Sequence, residues 1–440
     1  MTNWKSLYQD HHQRVKTLYE SAMTSLGYDW MLIDSGTTDV RFLDDLHQPF
    51  RVNPHFNYWV PLHQLPDSYL IIRPGKKALL LYCQVTDFWY PVPEEPVGFW
   101  SDSFEIEVIS GPEAIRKHLP ENRSSAVYVG PAGVRFKEMG IKQLNPAHLL
   151  NRLHYPRAVK TGFEVACMKE ATRSAIAGHQ AARDEFFRGG SEFDCHLAYL
   201  KASQQMEMDL PYGNIVAINE HAATLHYPLT DKKPKPESDR HSFLLDAGAS
   251  FFGYAADITR TYSYRKDEFA DLVAAMDKEQ LALIAQLKVG ESYSDSQFRA
   301  HAAVGRLLNQ FRFSDESADT LVETGVTSTF FPHGIGHLLG LQVHDIAGHA
   351  INQTGDLYPR PEGHPFLRLT RPIEAGFVFT IEPGLYFIDP LLSDLKSKPE
   401  GRFIRWDRVN SFRKYGGIRI EDNVLMTASG PVNLTREHWT

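Results

Sequence analysis

Acidic side chains set inside otherwise apolar, strand-like or glycine-rich segments constrain this chain more than any other feature. Asp246 stands in FLLDAG, Asp257 in GYAADITRTY, Glu382 in FTIEPG and Glu421 in GGIRIED, and His337 stands in HGIGH. An ionised carboxylate taken out of water is very costly unless it is paired or bound to a metal. A core holding four of them and nothing positive would unfold. Two divalent cations cancel the charge of four carboxylates and leave a neutral cluster able to hold a hydroxide between them. The set reads as the site of a hydrolase with two metal ions.

At 440 residues the chain exceeds what one compact core usually supports, so two domains are expected. Hydrophobic residues at 42% and charged residues at 23% are ordinary globular values and exclude disorder and coiled coil. The formal net charge of -8, with acids and bases interspersed, offers no basic stripe for a phosphate backbone, so no nucleic-acid partner is expected. The start, MTNWKSLYQDHHQRVKTLYE, lacks the apolar stretch of a secretory signal. Apolar runs such as ALLLYC fall far short of the about 20 residues that span a bilayer, so no membrane partner is expected. Three cysteines (Cys83, Cys167, Cys195), odd in number and without ligand spacing, suit a reducing compartment and point to a cytoplasmic enzyme.

The fold class expected is α/β (α+β) in two domains. Residues 1–158 alternate helical stretches with short apolar runs, an α/β pattern whose strands are WMLID, YLIIR, ALLLYC and AVYVG. Pro74-Gly75 marks a hairpin turn between the second and third of these. Leu153 to Lys160 reads as the linker. In the second domain, 159–440, Thr161 and Glu164 form a capping box that opens a helix running to about Arg188, where Gly189-Gly190 ends it. Ser191 with Asp194 starts another, and Asp267 to Lys288 and Asp295 to Phe311 carry helical apolar spacing. FLLDAG, FVFTIE and IRIEDNVLM read as sheet strands with an acid planted in each.

Asp246 and Asp257 flank AGASFFGYAA, which suits a tight hairpin. A turn centred on Phe251-Phe252 would set the two aspartates opposite each other, where like charges destabilise a bare sheet and call for a cation between them. His333 and His337 are spaced i, i+4, but Gly334 and Gly336 argue against a helix, so one ligand is expected and one histidine that either supports the ligands from behind or faces substrate, with His344 in LQVHD a further functional histidine. Pro383-Gly384 stops its strand and leaves Glu382 at the rim. Arg419 precedes Glu421 by two and shares its face in a strand. Two readings of that arginine are open: a plain salt bridge, or a clamp for an anionic group on the substrate.

The blocks LPYGNIVAINEHAATLHYP, FLLDAG, GYAADITRT, FFPHGIGHLLGLQVHD, TIEPGLYFI and GGIRIEDNV together resemble the pita-bread metallopeptidases. The resemblance covers nearly the whole chain and is strongest to the bacterial Xaa-Pro dipeptidases, or prolidases, including the organophosphorus acid anhydrolase subgroup. It implies an N-terminal α/β domain, serving dimerisation and as an active-site lid, before a C-terminal pita-bread domain. It implies two divalent metal ions, usually manganese, on Asp246, Asp257, His337, Glu382 and Glu421, with Asp257 and Glu421 bridging. His337 is chosen over His333 because the family's ligand lies seven residues before the histidine of VHD, here His344. By the same matching His226, His333, His344 and Arg419 contact substrate, and Tyr212, Leu225, Val343, Tyr293 and Leu367 line its pockets. Asp45 reaches in from the partner subunit of a homodimer.

The activity so implied is hydrolysis of Xaa-Pro dipeptides by a metal-bridging hydroxide. Glu382 serves as base and proton shuttle, His344 and His333 stabilise the oxyanion, and Arg419 and His226 hold the terminal carboxylate. Organophosphorus triesters and fluorophosphonates suit the same site as side substrates. The alternatives are an aminopeptidase P acting on longer Xaa-Pro-Yaa peptides, an enzyme acting primarily on organophosphorus esters, and a peptidase-like binding module without catalysis.

Overall fold

The computed structural model describes residues 2–131 and 133–439. It has two compact units, one of Met1–Arg157, Thr161–Cys167 and Ala350–Asp356, the other of Ala158–Lys160, Met168–His349 and Leu357–Thr440.

The first unit is built on a mixed sheet. Among the described residues its six strands run in the order Phe104–Ile109, Ala78–Cys83, Tyr69–Ile72, Trp30–Asp34, Ala126–Val129, Gln143–Leu144. WMLID is buried at every residue because it lies inside the sheet, antiparallel to Tyr69–Ile72 and parallel to Ala126–Val129. The hairpin at Pro74-Gly75 forms as its residues dictate: Gly75 takes φ 76° and Lys76 N–H donates to Arg73 O at 3.1 Å. The segment expected to be linker is partly helical, since Ala147–Arg157 is a helix with Pro156 inside it. Proline removes one helical hydrogen bond, and here it does so in the last turn. A buried polar cluster also belongs to this unit. Nε2 of His11 lies 2.8 Å from Tyr58 O and its Nδ1 2.9 Å from Thr161 Oγ1. Burial, the Arg14 charge adding to it, pushes that imidazole down to about 4, so it is neutral at pH 7.

The capping signals hold, the first of them within Thr161–Cys167 of the first unit and the others in the second. Thr161 N–H donates to Glu164 and Glu164 N–H to Thr161 Oγ1, opening the helix Gly162–Arg188. Ser191 and Asp194 form a second box at the helix Glu192–Ser203. Asp267 and Ser292 cap Glu268–Ala285 and Tyr293–Gln310, whose apolar faces enter the largest core cluster with Phe377, Phe379 and Ile381. Two three-stranded sheets carry the acids. One has the order Thr259–Ser263, Ser242–Asp246, Ile215–Ile218, the other Val378–Ile381, Asp422–Thr427, Gly430–Asn433. A reciprocal pair of backbone bonds joins them, from Glu421 N–H to Thr259 O at 3.0 Å and from Thr259 N–H to Glu421 O at 3.4 Å. That junction brings acids remote in sequence to one place.

The hairpin after Asp246 corrects its expected register. The turn centres on Phe252-Gly253, so Phe251 pairs with Tyr254 and Asp246 faces Thr259 rather than Asp257. Phe252 at φ 50° and Gly253 at φ 84° adopt the left-handed pair of a type I′ turn, which favours glycine at the second position. The shift is by two residues, which preserves side-chain parity and leaves Asp246, Asp257 and Thr259 on one face.

Candidate metal centre

Each acid arrives on a different support. Asp246 ends its strand, and Asp257 lies two residues before the strand Thr259–Ser263, its amide 3.3 Å from Asn423 Oδ1. Glu421 is held at the bridge to Thr259, whose hydroxyl donates to its Oε2 at 2.6 Å. Glu382 follows Val378–Ile381, and its amide donates to Ile335 O at 2.9 Å.

HGIGH is not helical. Its backbone lies along Val378–Ile381, with His337 N–H on Thr380 Oγ1 at 3.1 Å and Thr380 N–H on His337 O at 2.9 Å. Gln297 pins the loop from the far side, donating to His333 O at 3.1 Å and accepting from Ile335 N–H at 2.6 Å. Gly336 is required by close approach: a Cβ there would lie 2.1 Å from Thr380 O and 2.3 Å from the Tyr293 hydroxyl.

The donor atoms converge. One ligand atom each from Asp257, His337 and Glu421 lies within 4.8 Å of the others, and all three residues are buried. His337 donates through Nδ1 to Leu338 O at 3.0 Å, which turns Nε2 toward Asp257 Oδ2 at 3.4 Å and Glu382 Oε1 at 3.8 Å. Asp246 joins through Tyr212, whose hydroxyl sits 2.8 Å from Asp246 Oδ1 and 2.5 Å from Asp257 Oδ1.

The electrostatics carry the signature of missing positive charge. Burial, reinforced by Asp257, Glu382 and Asp246, holds the Glu421 carboxyl well above the carboxylate range. Burial pushes Glu382 up to about 7 despite His337 and Arg419. Burial also raises Asp246, against the pull of Arg419. At Asp257 burial is outweighed by the His337 hydrogen bond and charge, and its carboxyl falls below the usual range. Four carboxylates, one imidazole lone pair and a single ion-paired arginine fit divalent cations, which would relieve the repulsion that raises Glu421 and Glu382.

Arg419 is buried and its donors are engaged: Nη2 to Asp246 Oδ2 at 2.5 Å, Nη1 to the Tyr386 hydroxyl at 2.9 Å and Nε to Thr259 Oγ1 at 3.1 Å. Tyr386 in turn lies 2.9 Å from His333 Nε2, and His333 Nδ1 is 2.8 Å from Gly334 O. Burial, then the Arg419 charge, brings His333 down to about 3 and keeps it neutral. His344 is exposed, its ring edge-on to that of His337 with centroids 4.5 Å apart. The next residue, Asp345, forms a buried pair with Lys160 at 2.8 Å. His226 is exposed and near enough for its charge to bear on His344, and Leu225 and Val343 are half-buried beside these two histidines in sequence.

Tyr293 and Leu367, expected to line a pocket, are fully buried, and the Tyr293 hydroxyl donates to Thr380 O at 2.7 Å. Asp45 belongs to the first unit, where it is exposed. Sequence reasoning missed Tyr386, Thr259 and Arg368. Thr259 was readable from period two after Asp257; Arg368, an exposed cation whose charge reaches His333 and His344, left no signal.

Residues 6–155 match the N-terminal domain of Xaa-Pro dipeptidase, and residues 166–428 match metallopeptidase family M24. The chain belongs to metallopeptidase family M24. It is 46% identical over 435 residues to the Xaa-Pro dipeptidase of Pseudoalteromonas haloplanktis, covering 98% of each chain. It is 44% identical to that of Aeromonas hydrophila, covering 99% of each. Its fold matches that of aminopeptidase PepP from Pseudomonas aeruginosa, with TM-score 0.73, 20% identity and coverage of 97% of this chain and 95% of that one. It also matches zinc-substituted Escherichia coli aminopeptidase P in complex with product, with TM-score 0.72, 20% identity and the same coverage. An N-terminal domain followed by a pita-bread domain, the mixed α/β architecture expected from the resemblance, is the fold of this member of the family.

Proposed function

We propose that this chain hydrolyses the peptide bond of Xaa-Pro dipeptides, using two divalent cations held by Asp246, Asp257, His337, Glu382 and Glu421. The observation that carries the reading is the buried convergence of Asp257, His337 and Glu421 with uncompensated charge around it. End-to-end similarity to proteins named Xaa-Pro dipeptidase supports dipeptides over longer peptides. Manganese is the expected metal, and Asp257 and Glu421 would be among the residues that hold it.

When bound, the cations supply Lewis-acid activation of water and of the scissile carbonyl. Glu382, at the rim of its strand with Oε2 3.6 Å from His333 Nδ1, takes the proton from the attacking water and delivers it to the departing proline nitrogen. His344, open to solvent, donates to the developing oxyanion. His333, its Nδ1 proton given to Gly334 O, accepts through Nε2 from the Tyr386 hydroxyl and leaves that hydroxyl held beside Arg419. Arg419 braces Asp246 and Tyr386, and with His226 it faces the terminal carboxylate of the dipeptide; the exposed Arg368 is a further cation for that group. Tyr212, Leu225 and Val343 border the same space, with Tyr293 and Leu367 supporting it from beneath.

Exposed Phe42, Leu43 and Leu46 flank Asp45, an apolar rim that supports a homodimer in which Asp45 reaches the partner's site. The first unit then serves for dimerisation and as a lid. Three buried free cysteines suit a cytoplasmic location, and no helix among the described residues is long and apolar enough to cross a membrane. Phosphotriester hydrolysis is a side activity of the same residues.

The experiment is metal reconstitution after chelation, assayed on Leu-Pro by release of free proline. Manganese-dependent turnover of Leu-Pro exceeding that of Leu-Pro-Yaa and of a fluorophosphonate in kcat/KM is the expected result. Preference for the tripeptide or for the phosphorus ester reverses the reading.

A further inference from the structure

Outside the centre just described, Glu192, His221 and Asp231 also offer metal-type donors, one ligand atom of each lying within 4.8 Å of the others. The Glu192 residue is 1% exposed and stands in the first turn of Glu192–Ser203, fixed by the Ser191–Asp194 capping box. Four donors converge on its carboxylate. Oε1 accepts from Ile218 N–H at 2.8 Å and lies 2.7 Å from His221 Nδ1; Oε2 accepts from Asp231 N–H at 2.8 Å and from the Tyr227 hydroxyl at 3.2 Å. A carboxylate offers about four lone-pair directions. All are used, so the group is built as an anchor and leaves no side of Glu192 open to a cation.

What it anchors is one segment. The four donors span 218–231 and bracket Leu225 and His226 on both sides. After Ile218, which ends the strand Ile215–Ile218, and a short 3-10 turn, Asn219–Ala223, this segment has no regular structure of its own. His221 stacks on Tyr227 with ring centroids 4.6 Å apart, and Phe193 N–H, at the start of the helix, donates to Asp231 O at 3.1 Å. From His221 onward these ties run to one capped helix end, while the start of the segment is also held by Asn219, which donates to Asp239 O at 2.5 Å and accepts from His241 N–H at 2.8 Å.

We propose that Glu192 is a positioning residue for substrate recognition, its buried carboxylate holding the 218–231 loop so that Leu225 and His226 stand where substrate meets them. This rests on the reading that those two residues contact substrate. Charge-assisted bonds make the carboxylate a stronger anchor than an amide. In Glu192→Gln the shape survives, but two of the four donors face an NH2 group and lose their acceptor.

The test compares Glu192→Gln with His221→Ala, a milder variant that removes one donor and keeps the carboxylate. Hydrogen exchange of peptides covering 218–231 and 333–338, bound manganese, and kinetics on Leu-Pro are read together. The expected result for Glu192→Gln is exchange about ten-fold faster in 218–231 and unchanged in 333–338, manganese retained, and KM raised about ten-fold with kcat held within about two-fold. His221→Ala should move the same readouts by less, and it decides alone if Glu192→Gln does not fold. Unchanged exchange in 218–231 overturns the anchor, as does loss of manganese with KM unaltered. His226→Ala separates the two levels of the argument. If it leaves KM unchanged while 218–231 loosens in Glu192→Gln, the substrate role of His226 is what fails, and the proposed link to recognition falls with it.

Discussion

Glu421 and Asp422 are neighbours in sequence, both almost wholly buried, and they experience opposite electrostatics. Successive residues of an extended chain point to opposite faces. Glu421 faces Asp257, Glu382 and Asp246, and its carboxyl is pushed well above the usual range by burial and by those charges. Asp422 faces Arg260 at 2.5 Å, Arg436 at 2.8 Å and Asn433 at 2.7 Å, and against the cost of burial these hold it down at about 2. Burial of an acid is therefore no mark of function by itself; burial left uncompensated by the protein is. The two sides are also mechanically joined. Arg260 donates to the Glu421 carbonyl at 2.8 Å and lies 4.2 Å from the Trp439 ring centroid, so the braced side holds the backbone of the unbraced one.

That contrast can be broken or sharpened in several ways. The largest effect is expected at Glu382→Gln, which keeps shape but removes the proton carrier: kcat on Leu-Pro should fall roughly 10⁴-fold with manganese still bound. Near-normal turnover in the metal-loaded variant refutes that role. Asp422→Asn should destabilise by about 4 kcal/mol, because it strips Arg260 and Arg436 of their charge partner; a shift below about 1 kcal/mol in chemical denaturation would show the brace to be idle.

The first unit supplies a third environment, a buried neutral group. His11 titrates at about 4 in the folded state against 6.5 in the unfolded chain, so the unfolded chain takes up the proton first. Stability from this residue is fully present above pH 6.5, is lost as pH falls toward 4, and amounts to about 3 kcal/mol. Melting from pH 7 to 4.5 should show a decline that His11→Gln flattens; an equal decline in both rules it out. Smallest is Glu421→Gln, which removes an unpaired acid and should stabilise the metal-free protein by about 1 kcal/mol while abolishing metal binding. Opposite signs at 421 and 422 are the sharpest form of the comparison, and matching signs would end it.

Much of this was legible in the chain. Capping pairs predicted helix starts at Thr161 and Ser191, and apolar runs predicted the inner strands of the first sheet. FEIEVI was overlooked although it alternates, because Phe104–Ile109 is an edge strand with exposed glutamates. The aspartate hairpin was recognised but set two residues off, since the turn follows the backbone preference of Gly253 rather than the symmetry of the two aspartates. Tyr386 gave no signal: its importance comes from touching both Arg419 and His333, partners brought to it by folding.

Sequence alone determined which groups must meet, because a carboxylate inside an apolar strand has to find a counter-charge whatever the topology. Only the tertiary structure decided which of them found it within the protein. Asp246 and Asp422 meet guanidinium groups from distant segments, while Glu421 meets other acids and Glu382 meets imidazoles. Pairings of that kind depend on distances across sheets and loops that local residue preferences do not encode.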